Sequence, residues 1–588
     1  MRRLLPGPDW EGVVVGTVTG LIVGGLALAY MAPIRWLEES TEALAGSTES
    51  GFWLMLTAPI LGALGSGAIF ALISSPIQAH GVGQIIWAVN RLQSKLPFSL
   101  GIKQWIGSTC TIGSGGSAGP EGPIVSVGAT VGSQVAQFLG TDTVQRTTLL
   151  GCGAAAGLAA VFNAPLTGVF FVLEVLLRDF SLRMMAPIVV ASVMGAAAAQ
   201  GLLQSNEPVF GVGPAQFDAF FFELDEVPSM VILGIFVGIS SGCFVHMLER
   251  TSKLFARVRI PAMVRPALGA ALLGLLGWVW CVGSDSHEYP PFFGNGYWVI
   301  SEWCQAELYD PLKPGGDAWP LVRLLALLLV AKAVATSLTI GSGACGGLFA
   351  PSLVLGAVSG ALCGAFLNAY TPLPDVSPVI CAVVGMAAFV AGGSHAPLTG
   401  VMLAYEITRN YSIMLPLLLV TVLSTLCARL VSKQSVYTGE IDRLGLRLGS
   451  SVDLSVLRRV RVGDLLLKPA DPVLASDTVG ELLARAERSG EWDFVVNDAS
   501  GRYAGLVAAP DLRAAFAYRE AAPLLSVGEL VRDQAPLSID DTLDVAFEVF
   551  SRTDAQSVPI VDRRTGIARG IISRQHVMRA YQKALESR

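Results

Sequence analysis

The chain has 588 residues, 52% of them hydrophobic and 15% charged, with a mean hydropathy of +0.57. That is the composition of a membrane protein with room for more than one domain. A net charge of −6 argues against a nucleic-acid partner, and nine Cys between Cys110 and Cys427 without CxxC spacing read as small buried hydrophobes, not as disulfides or metal ligands.

Long apolar runs occupy Val13–Ala32, Phe52–Ile73, Val189–Leu203, Val231–Val245, Ala267–Val282, Leu321–Leu338 and Met414–Leu430. A full span needs ~20 such residues. The first run is too long for a cleavable signal and is followed by many others. Shorter runs interrupted by Gly or Pro, such as Ile124–Leu139, Leu149–Ala160 and Ala382–Ala391, predict half-helices lining a buried site. Basic residues set the orientation. Arg2 and Arg3 precede the first run, and the loop expected at Arg250–Arg265 carries five basic residues. The loop expected after the first run holds Glu38, Glu39, Glu42 and Glu49, and Ser205–Met230 has five acids and no Lys or Arg. Both termini are therefore expected in the cytoplasm, with the protein in the plasma (inner) membrane.

The membrane part is organised around Gly113–Pro123, GSGGSAGPEGP, which feeds the apolar stretch Ile124–Gly140. A Gly/Pro-rich loop entering a helix N-terminus favours anions through free N–H groups and the positive dipole end. One carboxylate, Glu121, stands in it. An acid inside apolar sequence is a functional-site candidate, although a lone Glu also suits a helix start. The segment recurs. Gly341–Pro351, GSGACGGLFAP, matches it at an offset of 228, and Asn163–Glu174 matches His395–Glu406 at 232. Two halves with matching Gly/Pro-interrupted apolar segments predict a transporter repeat with its site at the midplane. Approximate repeat limits are 10–203 and 229–440.

Charge becomes dense after Val431. We expect a membrane domain over 1–440, a linker over 441–460 and a cytoplasmic α/β domain over 461–588. The last repeats internally. Val462-Gly-Asp-Leu465 opens one copy (461–519) and Val527-Gly-Glu-Leu530 the other (526–583), each running helix, strand, strand, helix.

The C-terminal pair resembles tandem CBS modules. That resemblance implies an adenine-nucleotide site ending in Gly-apolar-apolar-Ser/Thr-x-x-Asp. The first copy keeps Asp511 but lacks the hydroxyl, and the second keeps Ser573 but lacks the carboxylate. A dimerising, gating or structural role is the larger expectation.

The membrane part, about residues 10–440, is similar to the CLC family of anion channels and proton-coupled anion exchangers. Four motifs carry the likeness. Gly119-Pro120-Glu121-Gly122-Pro123 resembles the external-gate motif, and Gly347-Leu348-Phe349-Ala350-Pro351 the Gly-x-Phe-x-Pro motif. Tyr437 matches the internal tyrosine, and Ala79-His80-Gly81-Val82-Gly83 loosely matches the Gly-Ser-Gly-Ile-Pro loop. The resemblance implies an all-α, multi-span, inverted-repeat fold with broken helices, acting as a homodimer with one pore per subunit. It implies Glu121 as gate and an anion held by the amides of Leu348 and Phe349, by Tyr437, and near His80 and Gly122. Three positions depart from the family. His80 replaces a serine and reads as a polar helix cap. Pro120 replaces a basic residue. Val175 stands where exchangers carry an inner, proton-accepting Glu. The expected function is therefore transport of chloride or a similar small anion, channel-like or weakly proton-coupled. A proton-coupled antiporter of the same family and a CBS-regulated divalent-cation transporter are the alternatives. No nucleophile–base pair or metal cluster stands out, so neither an enzyme nor a metal site is expected, and no cofactor beyond the nucleotide.

Overall fold

The computed structural model describes residues 8–45, 49–73, 81–204, 221–284, 288–312, 316–439, 441, 460–465, 468–469, 471–553, 557–563 and 565–586. Two compact units are present, Met1–Arg447 and Leu448–Arg588. His80 and nearly all of the expected linker 441–460 lie outside the described residues.

Among the described residues, the first unit holds two successive sets of eight α-helices. The first set is α1 (Pro8–Ala45), α2 (Glu49–Leu72), α3 (Gly81–Arg91), α4 (Phe98–Gly113), α5 (Glu121–Phe138), α6 (Thr143–Phe162), α7 (Pro165–Phe171, continued by a π turn, Val172–Leu177) and α8 (Leu182–Leu203). The second set is α9 (Val227–Arg257), α10 (Arg265–Ser284), α11 (Tyr297–Trp303), α12 (Trp319–Gly341), α13 (Phe349–Tyr370), α14 (Pro378–Ser394), α15 (Pro397–Thr408) and α16 (Met414–Val431). Packing repeats with the sequence. α5 lies on α6 as α13 lies on α14, α1 on α8 as α9 on α16, and α2 on α4 as α10 on α12. Left-handed backbone positions recur too: Gly115 at φ 98° and Gly343 at 99°, Asn163 at 54° and His395 at 59°, Arg178 at 53° and Arg409 at 52°.

Eight of the described helices are long and apolar enough to cross a membrane. Seven coincide with the long runs of the sequence, and the eighth is α13. Its most apolar stretch is 89% buried, against 33% for α1, so α13 is the central helix of the unit.

Two expectations need correction. Glu38, Glu39 and Glu42 lie within α1, and Arg250, Lys253 and Arg257 within α9; both helices outrun their apolar cores. The Gly-interrupted runs are not themselves half-helices. α5, α6 and α14 are continuous over 18, 20 and 17 residues. Their glycines serve close approach. A Cβ on Gly128 would strike the Gly153 carbonyl and the reverse, and Gly356 and Gly385 stand in the same relation. The breaks fall between helices, at 114–120, 163–164, 342–348 and 395–396.

The second unit holds two three-stranded sheets, β1 (Lys468–Pro469), β6 (Ala568–Ser573), β5 (Ser557–Val561) in that order and β2 (Val473–Leu474), β3 (Phe494–Asn497), β4 (Tyr503–Val507), with helices α17 (Val479–Ser489), α18 (Ala509–Ala517), α19 (Leu543–Thr553) and α20 (Arg574–Glu586). The openings of the two copies are exchanged. β1 pairs antiparallel with β6, Lys468 opposite Ile571, and Val462 is buried with Leu537, Phe550 and Ile560. Conversely Val527 is buried with Val473, Leu483 and Phe494, with Leu530 packed against them. Each opening buries its apolar side chains in the core of the other copy.

Candidate anion site at facing helix starts

The loops before α5 and α13 meet back to back. Gly119 N–H donates to the Gly347 carbonyl at 2.9 Å, and Gly347 N–H returns the bond to Gly119 at 2.7 Å. A side chain on Gly347 would press on the Gly122 backbone, so glycine is required for the two helix starts to touch. Pro120, which has no N–H to leave unpaired, is the N-cap of α5, and its carbonyl accepts from Ile124 N–H and from the Tyr30 hydroxyl of α1 at 3.1 Å.

Glu121 is the first residue of α5 and is 1% exposed. Its carboxylate rests on the start of α13, where Oε2 accepts from Ala350 N–H at 3.3 Å. Oε1 accepts from the Tyr297 hydroxyl at 2.5 Å. A Cβ on Gly119 would collide with Oε2, so the carboxylate can fold over only a glycine. Buried, this acid has two donors, the Tyr297 hydroxyl and an amide at a helix dipole's positive end, set against the burial of its charge.

Leu348 is the N-cap of α13 and Phe349 its first residue. No acceptor among the described residues engages their amides, as geometry demands of the first turn of a helix. Gly122, Leu348 and Tyr437 line one cavity of about 570 Å³, whose wall also includes Lys103, Gln104 and Ser435. Tyr437 is 8% exposed; its ring packs edge-on against Phe171 at 5.9 Å. Phe171 in turn touches Phe349 at 5.9 Å, Phe349 touches Phe162 at 5.4 Å, and Phe162 touches Tyr297 at 6.3 Å. A collar of aromatic rings thus runs from the Glu121 partner to the cavity tyrosine. Glu121, Gly122, Leu348, Phe349 and Tyr437 are brought together.

Val175 is buried within the π turn that ends α7. Beside it, Glu174 accepts from Leu398 N–H at 3.2 Å and from Thr399 N–H and Oγ1–H at 2.8 Å each. Glu406 does the same for α7, accepting from Leu166 N–H at 2.7 Å and from Thr167 N–H and Oγ1–H at 2.7 and 2.6 Å. Each repeat caps the other's helix, so both carboxylates are spent on structure.

In the second unit, Asp511 and Ser573 each have another partner. Asp511 takes a bidentate pair from Arg532, at 2.5 and 2.6 Å. Ser573 lies 3.0 Å from His576 Nδ1 and accepts from the His576 N–H in the first turn of α20. Neither residue lines the cavity of about 540 Å³ beside Asp477, Glu481 and Arg485.

Sequence reasoning missed Tyr297, Phe162, Phe171, Glu38 and Lys332 as site residues. Only Lys332 carried a usable signal, being a cation deep inside the apolar run Leu321–Leu338. The contacts of the others bridge residues far apart in the chain.

Residues 62–429 match the family described as voltage gated chloride channel, and residues 527–583 match the CBS domain family. The chain belongs to the voltage-gated chloride channel, or CLC, family. It is 30% identical over 442 residues to a ClcB-like chloride channel protein of Ralstonia nicotianae, covering 72% of this chain and 96% of that one. It is 29% identical to the H(+)/Cl(−) exchange transporter ClcA of Citrobacter koseri, covering 73% and 87%. Its fold is that of solved relatives: a slow cyanobacterial Cl−/H+ antiporter (TM-score 0.60, 23% identity, 75% of this chain and 99% of that one) and a eukaryotic CLC transporter (0.62, 20%, 96% and 98%).

Proposed function

We propose that this integral membrane protein carries chloride or a similar small anion, with Glu121 as the gate. The observation that carries the reading is the Glu121 carboxylate seated on the first turn of α13. An ionised carboxylate and a dehydrated anion compete for the same helix start. With the acid in place, its charge sits on the Ala350 amide beside those of Leu348 and Phe349. Once it is protonated or displaced, the amides of Leu348 and Phe349 are left for an anion arriving through the cavity past Tyr437 and Gly122. N–H donors without a full positive charge bind such an ion and still release it. Chloride is the first candidate because the relatives of Ralstonia and Citrobacter are named for it.

The mode follows from Val175, which cannot accept a proton. Glu174, next to it, is committed to Thr399 and Leu398. We favour channel-like or weakly proton-coupled flow. Proton-coupled exchange is the second reading, favoured by the names of the ClcA relatives. A divalent-cation pathway needs converging carboxylates, whereas Glu121 stands among phenols and amides. For the rest we propose a homodimer with one pore per subunit, both termini cytoplasmic, in the plasma (inner) membrane. The CBS pair then serves assembly or gating, since an adenine nucleotide would have to displace Arg532 from Asp511.

Reversal potentials under crossed chloride and pH gradients test the mode, and tracer chloride against magnesium tests the ion. Chloride flux with no uphill proton movement supports the proposal. Robust proton pumping by a chloride gradient replaces channel-like flow with exchange. Glu121→Gln is expected to give flux independent of pH, and a wild-type pH profile in that variant removes Glu121 as the gate.

A further inference from the structure

The gate acid does not rest on α13 alone. Its stronger partner, Tyr297, belongs to a tight connection before α11 that is bolted down at every joint. Gly294 N–H donates to the Gly115 carbonyl at 3.0 Å, inside the loop that leads to Glu121. Lys332 Nζ, fully buried in α12, donates to the Phe292 and Gly294 carbonyls at 3.3 and 3.1 Å. Asn295 Nδ2 lies 3.0 Å from both carboxylate oxygens of Glu38 in α1, while Asn295 Oδ1 accepts from Tyr297 N–H at 2.9 Å. Gly296, at φ 79°, caps α11; a side chain there would collide with Val354 and crowd Lys332. Contacts from α1, from α12 and from the loop before α5 thus converge on residues 292–297, and the Tyr297 hydroxyl at their end donates to Glu121.

Resting on the reading of Glu121 as the gate, we propose that Tyr297 is a positioning residue that latches Glu121 in its occluding place, and that Glu38 and Lys332 hold the latch rigid through residues 292–297. A phenol O–H donated to a carboxylate favours the ionised, seated form. Protonation of the acid weakens that bond and frees it to leave. A latch fixed by one neutral donor releases more readily than an ion pair would, because no second charge is left buried when the acid departs. The ionisable groups that face Glu121 are phenols on three elements: Tyr297 of α11, Tyr30 of α1 and Tyr437 after α16. Glu38, Lys332 and Arg35 lie one shell further out. Among the described residues, Tyr297 is the side chain that donates to the Glu121 carboxylate.

Chloride efflux from liposomes between pH 4.5 and 7.5 tests this with Tyr297→Phe, Glu121→Gln and the double variant, each first checked for a monodisperse, folded protein. Tyr297→Phe keeps the ring and removes only the donor. It is expected to raise flux at neutral pH roughly tenfold, the factor associated with one hydrogen bond to a charged group, and to start the acid-driven rise at higher pH. The double variant should match Glu121→Gln. Glu38→Gln leaves Asn295 one acceptor and should change flux in the same direction by less. Wild-type flux in Tyr297→Phe, with pH-independent flux in Glu121→Gln, overturns the latch and leaves the gate standing. An equal change from Tyr297→Phe in both backgrounds also overturns it, because the tyrosine then acts by packing. A wild-type pH profile in Glu121→Gln overturns the gate and the latch together.

Discussion

Glu121, Glu174 and Glu406 each set a carboxylate against a helix start of the other repeat, and they divide into two kinds. Glu174 and Glu406 are related by the repeat, and each caps the helix of the other half with the same three donors. Glu121 has no such counterpart. The residue 228 positions on is Phe349, and the carboxylate of one repeat lies against the amides that begin that residue's helix in the other. Where the pseudo-symmetry is kept, the acid is a fastener. Where it is broken, an acid on one side rests on a helix start of the other through a single amide. An asymmetric contact of that kind can exchange partners without unfolding either repeat, because the backbone bridge between Gly119 and Gly347 stays intact.

The contrast is open to attack at its strongest point first. Glu406→Ala and Glu174→Ala should each lower stability by about 3 kcal/mol, since two amides and a hydroxyl lose a charged acceptor at once. Thermal unfolding in detergent checks this, and a near-equal loss in the two variants is the signature of a shared structural role. Glu174→Ala that spares stability yet alters proton movement would erase the distinction. Next in size, Gly132→Ala and Gly360→Ala should each cost about 2 kcal/mol by overpacking, because their new methyl groups run into the carbonyls of Leu149 and Cys381. Glu121→Gln, by comparison, should move unfolding by less than about 1 kcal/mol, because an amide can still accept from Tyr297 and Ala350. The smallest effect is expected outside the membrane. Arg485 holds the Asp471 carboxyl below the usual carboxylate range, mainly through its hydrogen bond. A depressed acid adds stability above its unfolded-state value, and that stability is lost as pH falls through the folded one. The pair is well exposed, 37% and 62%, so screening leaves Asp471→Asn a cost under about 1 kcal/mol. Urea unfolding of the full chain at pH 7 and pH 3 should show that small difference at pH 7 and less of it at pH 3.

Much of this was readable from the residues. The offsets of 228 and 232 announced the repeat, since each repeat spends its glycines on the same close crossings. Glu121, Leu348 and Phe349 were visible as chemistry at a helix start, because those features are local. Tyr297 was not, since its partner is 176 positions away and the connection that aims it is held by Glu38, Asn295 and Lys332 from separate elements. The apolar runs misled in one respect. Glycine inside Leu149–Ala160 and Ala382–Ala391 looked like helix breakage, but tight helix contact uses the same residue. In the second unit, the matched openings at Val462 and Val527 showed two copies but not their exchange, because sequence similarity does not reveal which core an apolar side chain enters.

That exchange has a consequence for how the second unit responds to tension. The polypeptide arriving from the membrane first joins the sheet of the later module, through Lys468 and Pro469 on Ile571 and Gly570, before it builds the earlier one. A tug on this tether is therefore borne by the carboxyl-terminal module, and a chain shortened before residue 568 would forfeit the anchorage of its own leading strand.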